Sequence, residues 1–318
     1  MRDFRKLALG AITGWLSMLA LGAAHSAELK IATLESGTVN WELDTIRANG
    51  LDEKNGFTMS VMGVAANDAA RIALQGGEAD AIVSDWIWAA KMRASGQDFV
   101  FIPYSTAVGG VMVAGDSDMD SLDDLFDQKI GIAGGPLDKS WIILRAYALQ
   151  EYGVDLAART EPVFGAPPLI MASAIDGDVA GAINFWHFNA KQEAAGMRVL
   201  LSVVDAAAAL GLDPEIPLLG YVVRGDVAPE LIKGLADASN EAKQILASDD
   251  TAWDAMRPGM NAKDDAEFAA LKAGYRAGIP SVAEVDVQQV AKTFDLMARL
   301  GGPDLVGDMT ELPDGLFN

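Results

Sequence analysis

The feature that most constrains the fold is an alternation of short strands and helices that runs through the chain twice. Apolar segments such as Ala79–Val83 and Phe99–Ile102 are separated by segments of helical period. Their spacing of about 15–25 residues predicts an α/β fold with a largely parallel sheet. Crossing strands at 108–114 and 218–223 separate the two runs, and the C-terminal part is mostly helical. The chain is therefore expected to form two lobes with a cleft and hinge crossings between them.

Polar loops follow several of the expected strands. They contain Ser36, Ser84, Tyr104, Gly134 and Asn184. Ligands of open parallel sheets bind beyond the carboxyl ends of the strands, so these five loops are expected to meet in one cleft.

The segment 130–140 combines a strand, two glycines and a polar turn before a helix. Gly134 and Gly135 permit a tight turn, and Asp138 or Ser140 is suited to cap the helix by accepting its first N–H groups. The positive helix end and Lys139 together favour an anionic or strongly polar ligand. An ordinary capped strand–helix turn fits the same residues equally well.

The N-terminus has the features of a signal peptide. Basic residues precede an apolar segment from Leu7 to Gly22, and small residues then suit cleavage after Ser26, so residues 1–26 are expected to be removed on export. The whole chain carries a formal charge of −21, and removal of the basic leader leaves about −23. Such a surface repels nucleic acid and anionic lipid, so any anion site must act locally.

Composition narrows the catalytic options. The chain has no cysteine, and His187 is the only histidine beyond the expected leader. Cys-His catalysis is excluded, and a Ser-His-Asp triad would require His187. Asp116, Asp118 and Asp120 lack the glycine of a calcium loop and indicate the solvated start of a helix over 116–128.

The order of several phrases resembles the periplasmic substrate-binding proteins of ABC transporters, specifically the nitrate/sulfonate/taurine group and its thiamine-precursor relatives. The resemblance covers nearly all of the chain after the leader, and no single phrase is specific. The phrases are Leu29–Thr33 with its Ser-Gly-Thr loop, Leu51–Thr58, Ala73–Ala81, Asp123–Ile132 and Ala174–Ile183. Gln128 replaces the usual glycine of one phrase, and Ala180-Gly181 replaces the Asp-Ala of another.

The resemblance implies a type II periplasmic-binding fold that delivers a small solute to an ABC permease in the inner membrane, without catalysis. Residues 27–110 and 218–318 would form the first lobe, and 111–217 the second. A periplasmic monomer is expected, with no cofactor, no bound metal and no nucleic-acid partner. Closure of the lobes over the ligand is the expected motion.

Residues carried over from the resemblance, with two tryptophans added as ligand platforms, give a set of candidate ligand contacts. The set is Ser36, Gly37, Thr38, Trp41, Ser84, Asp85, Trp86, Tyr104, Ser105, Gly134, Gly135, Asp138, Lys139, Ser140, Asn184 and Trp186. Each tryptophan also suits a core, since burial is its commoner fate. Asp85 would pair with a ligand amine or cap the helix at Trp86, and Arg71 is expected at the surface or between the lobes.

Three functions remain open on the sequence. The first is a receptor for a small polar organic solute, either an anion such as a sulfonate or an amine-bearing compound. The second is an enzyme on the same fold. The third is a receptor for a cation held by Glu35, Asp85 and Asp138.

Overall fold

A computed structural model describes residues 27–281 and 285–317. The expected signal peptide, residues 1–26, lies outside this range. Ten strands form two five-stranded sheets in the described part. The first sheet has the order β2-β1-β3-β10-β4. Its strands are β1 (Ala27–Leu34), β2 (Phe57–Val64), β3 (Ala81–Asp85), β4 (Phe99–Ser105) and β10 (Leu219–Arg224).

The second sheet has the order β7-β6-β8-β5-β9. Its strands are β5 (Gly110–Val113), β6 (Lys129–Ala133), β7 (Glu161–Gly165), β8 (Gly181–Asn184) and β9 (Arg198–Ser202). In each sheet four strands run in the same direction, and one strand that crosses between the sheets lies antiparallel to its two neighbours. The mixed α/β architecture with two crossings agrees with the predicted fold class.

Helices connect the strands and cover both sheets. They are α1 (Val39–Ala48), α2 (Leu51–Lys54), α3 (Asn67–Gly76), α4 (Trp86–Ala94), α5 (Lys139–Tyr152), α6 (Leu156–Arg159), α7 (Pro167–Ile175), α8 (Trp186–Ala194), α9 (Val203–Ala209), α10 (Pro229–Ser248), α11 (Asp250–Met260), α12 (Asp265–Ala277) and α13 (Val287–Val306). Within the described range, none of them is long and apolar enough to cross a membrane.

The prediction of a helix over residues 116–128 is wrong. Only a single 3-10 turn forms there, at Leu122–Leu125. Asp124 accepts the backbone N–H groups of Asp120 and Ser121, at 2.8 and 3.1 Å, and so closes a capping box before the turn. An acidic run of this kind favours local side-chain bonds to the backbone over a continued helix.

The last helix ties the two sheets together at the back. Helix α13 packs against α4, which follows a strand of the first sheet, and against α5, which follows a strand of the second. Its buried residues Val290, Phe294 and Met297 belong to one apolar cluster with residues of both helices. A kink at Gly302, with φ 58° and ψ −161°, interrupts the helix near its end. The lobes are therefore joined by two crossing strands and by this helix.

Candidate functional site

The Gly134–Ser140 turn lies at the carboxyl end of β6. Gly134 has a φ of 88°, which favours glycine, and its N–H donates to Gly165 O at 2.9 Å. A Cβ atom at Gly135 would meet nothing within 4 Å, so the space above the turn is open. Asp138 caps α5 by accepting the N–H of Trp141 at 3.0 Å. The turn therefore has the predicted conformation, with Asp138 as the cap and Lys139 as the first helical residue.

Asp85 occupies the equivalent place in the first lobe, at the end of β3. Its Oδ1 accepts the N–H of Trp88 at 2.9 Å, which makes it the N-cap of α4. Capping is one of the two roles predicted for Asp85 from the sequence. Its second oxygen is left free for other partners.

Two cations converge on that second oxygen. Lys139 Nζ reaches across from the second lobe and lies 3.1 Å from Asp85 Oδ2. Arg71 Nη2, from α3 of the first lobe, lies 3.2 Å from the same oxygen and also donates to Ser84 Oγ at 3.2 Å. The Asp85 side chain is 10% exposed and that of Lys139 is 23% exposed. The turn thus faces the first lobe, and a largely buried ion pair joins the lobes.

Arg71 is held tightly on its own lobe. Its guanidinium lies 4.9 Å from the centre of the Trp88 ring, and Nη1 lies 3.6 Å from the exposed Asp68. Its Nε is buried and finds no acceptor in the part of the chain that the structure describes. A buried donor without a partner is costly, so Arg71 retains capacity to bind a further acceptor.

The two carboxylates of the site respond oppositely to their surroundings. Burial alone would raise the pKa of Asp85, but Lys139, the Trp88 N–H and Arg71 together hold it below its ordinary value. Burial raises the pKa of Asp138, and the charge of Asp85 adds to that rise against the opposing N–H groups and Lys139. Asp85 is therefore the carboxylate that keeps its charge most firmly, because two cations face it.

A second contact between the lobes is aromatic. Trp186, the first residue of α8, meets the Trp41 ring edge-on with centroids 6.0 Å apart. On its other side it lies directly on Gly274 of α12, where a Cβ atom would come within 2.8 Å of the ring. Lys191, one turn further along α8, lies 2.9 Å from Glu267 Oε1. Helix α8 of the second lobe thus closes onto α12, which packs in the core of the first.

Behind this contact, the first lobe contains a fully buried carboxylate. Glu42 accepts hydroxyl hydrogen bonds from Tyr221 at 2.7 Å, Ser239 at 2.6 Å and Tyr275 at 3.0 Å, and it lies 3.2 Å from Lys243 Nζ. Burial and the charge of Glu42 raise the pKa of Tyr221 and Tyr275 well above their ordinary values. Every oxygen of this network has partners, so the network stabilises the lobe beneath the cleft. No local pattern in the sequence predicts the network, because its members come from four separate elements.

The burial of Trp86 contradicts the prediction that it serves as a ligand platform. Its side chain is fully buried, at 0% exposure, and packs against Phe317 in the core. Asn184 is also buried: its Nδ2 donates to Pro167 O at 3.0 Å and its Oδ1 accepts the N–H of Phe185 at 2.9 Å. The Asn184 amide is committed to backbone bonds within its own lobe. The Trp86 ring is committed to core packing, and its buried Nε1 finds no acceptor among the described residues.

Tyr104 and Ser105 likewise serve the framework. The Tyr104 hydroxyl hydrogen-bonds with Thr38 and Tyr275, and burial raises its pKa. Ser105 Oγ donates to Gly278 O at 3.2 Å and accepts the N–H of Ala107 at 3.0 Å. These bonds fasten the crossing after β4 to the end of α12.

The first loop remains open towards solvent. Ser36 is exposed, and Gly37 and Thr38 are half-buried. Ser84 is buried beside Arg71, and Ser140 is buried in the first turn of α5. Trp41, at 6% exposure, packs with Trp253 and Tyr275 and presents an edge to Trp186. The candidate residues are therefore split between a charged centre around Asp85 and a supporting layer.

Two cations outside the set of predicted ligand contacts belong to this arrangement. Arg71 joins the charged centre, and Lys191 joins the aromatic contact. Arg71 is the one cation in a helix of otherwise small and apolar character, Ala69–Leu74, and that isolation was its available signal. His187 lies beside Phe188, and burial with the charge of Lys191 lowers its pKa to about 4, so it is neutral at neutral pH.

The described residues contain a groove away from the Asp85 centre. It measures about 930 Å³ and lies on the first lobe between β4 and α10. Its cations already have partners: Arg93 pairs with Asp98, Lys233 with Asp237, and Lys243 with Glu42. In residues 27–281 and 285–317, no three His, Asp or Glu side chains come together as a metal site would require. The chemistry is therefore concentrated at the Asp85 centre.

Solved structures with the same architecture include periplasmic sulfonate-binding proteins. The aliphatic sulphonate-binding protein SsuA of Escherichia coli superposes with a TM-score of 0.70 at 18% identity, over 88% of each chain. The alkanesulfonate-binding SsuA of Xanthomonas axonopodis pv. citri, bound to MOPS, gives 0.65 at 18% identity, over 93% of this chain and 97% of that one. An SsuA from Methylobacillus flagellatus gives 0.67 at 15% identity, over 92% of each chain.

The fold is that of the two-lobed periplasmic binding proteins. No protein-family model and no curated protein sequence matches the chain. The similarity is limited to the fold, because the sequence identities are only 15–18%. The residues of this chain therefore determine which ligand it can bind.

Proposed function

We propose that this protein is the periplasmic solute-binding component of an ABC importer and that it captures a small organic acid, a sulfonate or carboxylate, between its lobes. The observation that carries the proposal is the convergence of Lys139 and Arg71 on one carboxylate oxygen at the open Gly134 turn. Two cations from opposite lobes beside a helix start provide donors for an acid group. Closing the lobes brings these donors together and removes them from water.

The sulfonate-binding proteins of the same fold support this ligand class. The Methylobacillus flagellatus protein is described as part of a sulfonate ABC transporter, which supports delivery to a membrane permease. A binding role without catalysis agrees with a chain that has no cysteine and whose sole histidine beyond the expected leader is neutral and half-buried. The expected leader supports a periplasmic location. Determining the N-terminus of the exported protein tests this, with Ala27 as the expected first residue.

The test of the binding role is a thermal-shift screen followed by calorimetry on the chain from Ala27. Ligands that bind the folded state raise the melting temperature. The screen should contain sulfonates, carboxylates, nitrate, amines and divalent metal ions. We expect sulfonates or carboxylates to stabilise the protein, without turnover of the compound.

Lys139→Met then removes the cation from the second lobe while keeping the length of the side chain. Losing one charge-assisted hydrogen bond of about 1.5–3 kcal/mol weakens binding roughly 10- to 150-fold. Lys129→Met is the matched control, because Lys129 is exposed at the opposite end of β6. Equal affinities in the two variants would contradict the proposed site. Stabilisation by metal ions or amines alone would contradict the proposed ligand class.

The transport role is tested in cells by deleting the gene. Uptake of the identified solute at micromolar concentration should be lost, and a plasmid copy should restore it. A plasmid copy carrying Lys139→Met should restore uptake only at higher solute concentration. Unchanged uptake in the deletion strain would contradict the assignment to an importer.

A further inference from the structure

An ion pair between the lobes shares no residue with the charged centre. Lys191 Nζ, from α8 of the second lobe, lies 2.9 Å from Glu267 Oε1 and donates to Asn261 O at 3.2 Å. Both partners belong to the first lobe, because Asn261 ends α11 and Glu267 lies in the first turn of α12. Every atom of this contact comes from the protein, so the contact forms without the help of a solute.

The first lobe presents two different acceptors to the Lys191 ammonium group. Asn261 has a φ of 52°, and its carbonyl oxygen lies at the C-terminal end of α11, where the helix dipole is negative. Glu267 is fixed at the start of α12, because its N–H donates to the capping residue Asp264 at 2.9 Å. The two acceptors are therefore in place for a cation before the lobes close.

The pair is largely shielded from water in the closed arrangement. The Glu267 side chain is 9% exposed and that of Lys191 is 22% exposed. In the part of the chain that the structure describes, no other cation forms an ion pair with Glu267, and the neighbouring Arg257 pairs with Asp265. Without Lys191, closure would enclose a carboxylate that has no counterion, which is unfavourable. In the open protein water reaches the same carboxylate, so the penalty falls on the closed form.

We propose that Lys191 and Glu267 form a latch, which keeps part of the unliganded population closed and slows the release of a bound solute. The second part of this inference rests on the proposed function. Both are positioning residues, because they act on the solute only through the separation of the lobes. Removing one partner of a buried charge pair acts mainly on the dissociation rate. The latch lies on the same two helices as the contact of Trp186 with Gly274, so both contacts open together.

The first test uses no ligand. The chain has no cysteine, so Glu53→Cys and Asp176→Cys introduce one spin label on each lobe, both at exposed positions. Electron-spin distance measurements should then resolve a closed and an open population. Lys191→Met should lower the ratio of closed to open molecules at least about tenfold, because the closed form loses a charge-assisted hydrogen bond. An unchanged distance distribution would overturn the latch.

The second test measures release by stopped-flow tryptophan emission, with ethanesulfonate as the probe. Lys191→Met should raise the dissociation rate at least about tenfold and change the association rate less than about twofold. Glu267→Gln keeps the size of the side chain and should act in the same direction. The double variant should lose less than the two single variants together, because it leaves no buried charge unpaired.

Lys54→Met is the matched control. Lys54 and Glu241 form an ion pair of 2.6 Å within the first lobe, so its loss should leave the distances and both rates unchanged. Equal dissociation rates in the wild type and the two latch variants would overturn the second part of the inference. A parallel fall in association rate and melting temperature would indicate general damage and overturn it as well. If ethanesulfonate did not bind at millimolar concentration while Lys191→Met still opened the lobes, the proposed ligand class would fail and the latch would stand.

Discussion

Gly274 is expected to set how far the lobes close. A Cβ atom at this position would lie 2.8 Å from two carbons of the Trp186 ring, whereas carbon atoms pack at about 3.5–4.0 Å. Gly274→Ala therefore requires the contact to open by about 0.7–1.2 Å. Helix α12 cannot retreat, because Leu271 and Tyr275 anchor it in the core, and Trp186 is held from the other side by Trp41. The lobes must move apart instead.

The cost of such overpacking is typically about 1–3 kcal/mol, which corresponds to an approximately 5- to 150-fold loss of ligand affinity if only the closed form binds. The unliganded protein can relax by opening, and alanine in place of a helical glycine favours folding by about 0.5–1 kcal/mol. Gly274→Ala should therefore keep or raise the melting temperature without ligand while weakening binding. The two effects have opposite signs, which distinguishes a closure defect from general damage.

Calorimetry with the ligand found by screening measures the affinity, and tryptophan emission reports the surroundings of Trp186. The matched control is Gly259→Ala on α11, where a Cβ atom would meet open space. If both variants bound the ligand as the wild type does, with unchanged emission, the reasoning about closure would be refuted. A lower melting temperature of the unliganded Gly274→Ala protein, alongside weaker binding, would refute it as well.

Three further predictions concern the charges of the protein. Lys243→Met or Glu42→Gln alone should lower the free energy of unfolding in urea by about 3–5 kcal/mol, because each leaves a buried charge unpaired, and the double variant should lose less than the two together. The folded pKa of His187, about 4, lies below its unfolded value, so stability should fall as pH drops from about 6.5 towards 4, and His187→Gln should flatten this part of the profile. The association rate of ethanesulfonate should rise with salt, because salt screens the negative surface, whereas that of 2-aminoethanesulfonate should not change.

The parts of this architecture that depend on local sequence were predictable. Strand–loop–helix order placed the turns after β3 and β6 correctly, because a carboxyl-terminal strand end followed by a capping residue is a local pattern. Asp138 and Asp85 both cap their helices as their positions indicate. The Gly134 turn follows from the positive φ that its conformation demands.

The parts that depend on distant packing were not predictable. Trp41 and Trp86 occupy similar sequence positions near a polar loop, yet Trp86 is enclosed by Phe317 from the C-terminus. The role of Arg71 depends on Ser84 and Asp85, which belong to another element, and on Lys139 from the other lobe. A tryptophan or arginine side chain is long enough to reach several different environments. Its contacts are therefore determined only by the packing of the assembled lobes.

The charged centre also bears on how the proposed anion site would work in so acidic a chain. The formal charge of −21 repels anions at a distance, and the cations of the centre are neutralised while the site is empty. Selection must then come from contacts made within a few ångströms, when Lys139 exchanges one carboxylate partner for another. Such an exchange depends on short-range, charge-assisted hydrogen bonds and not on the formal charge of the surface. Lobe closure supplies the remainder, because the closed arrangement brings both Trp186 onto Gly274 and Lys139 onto the first lobe.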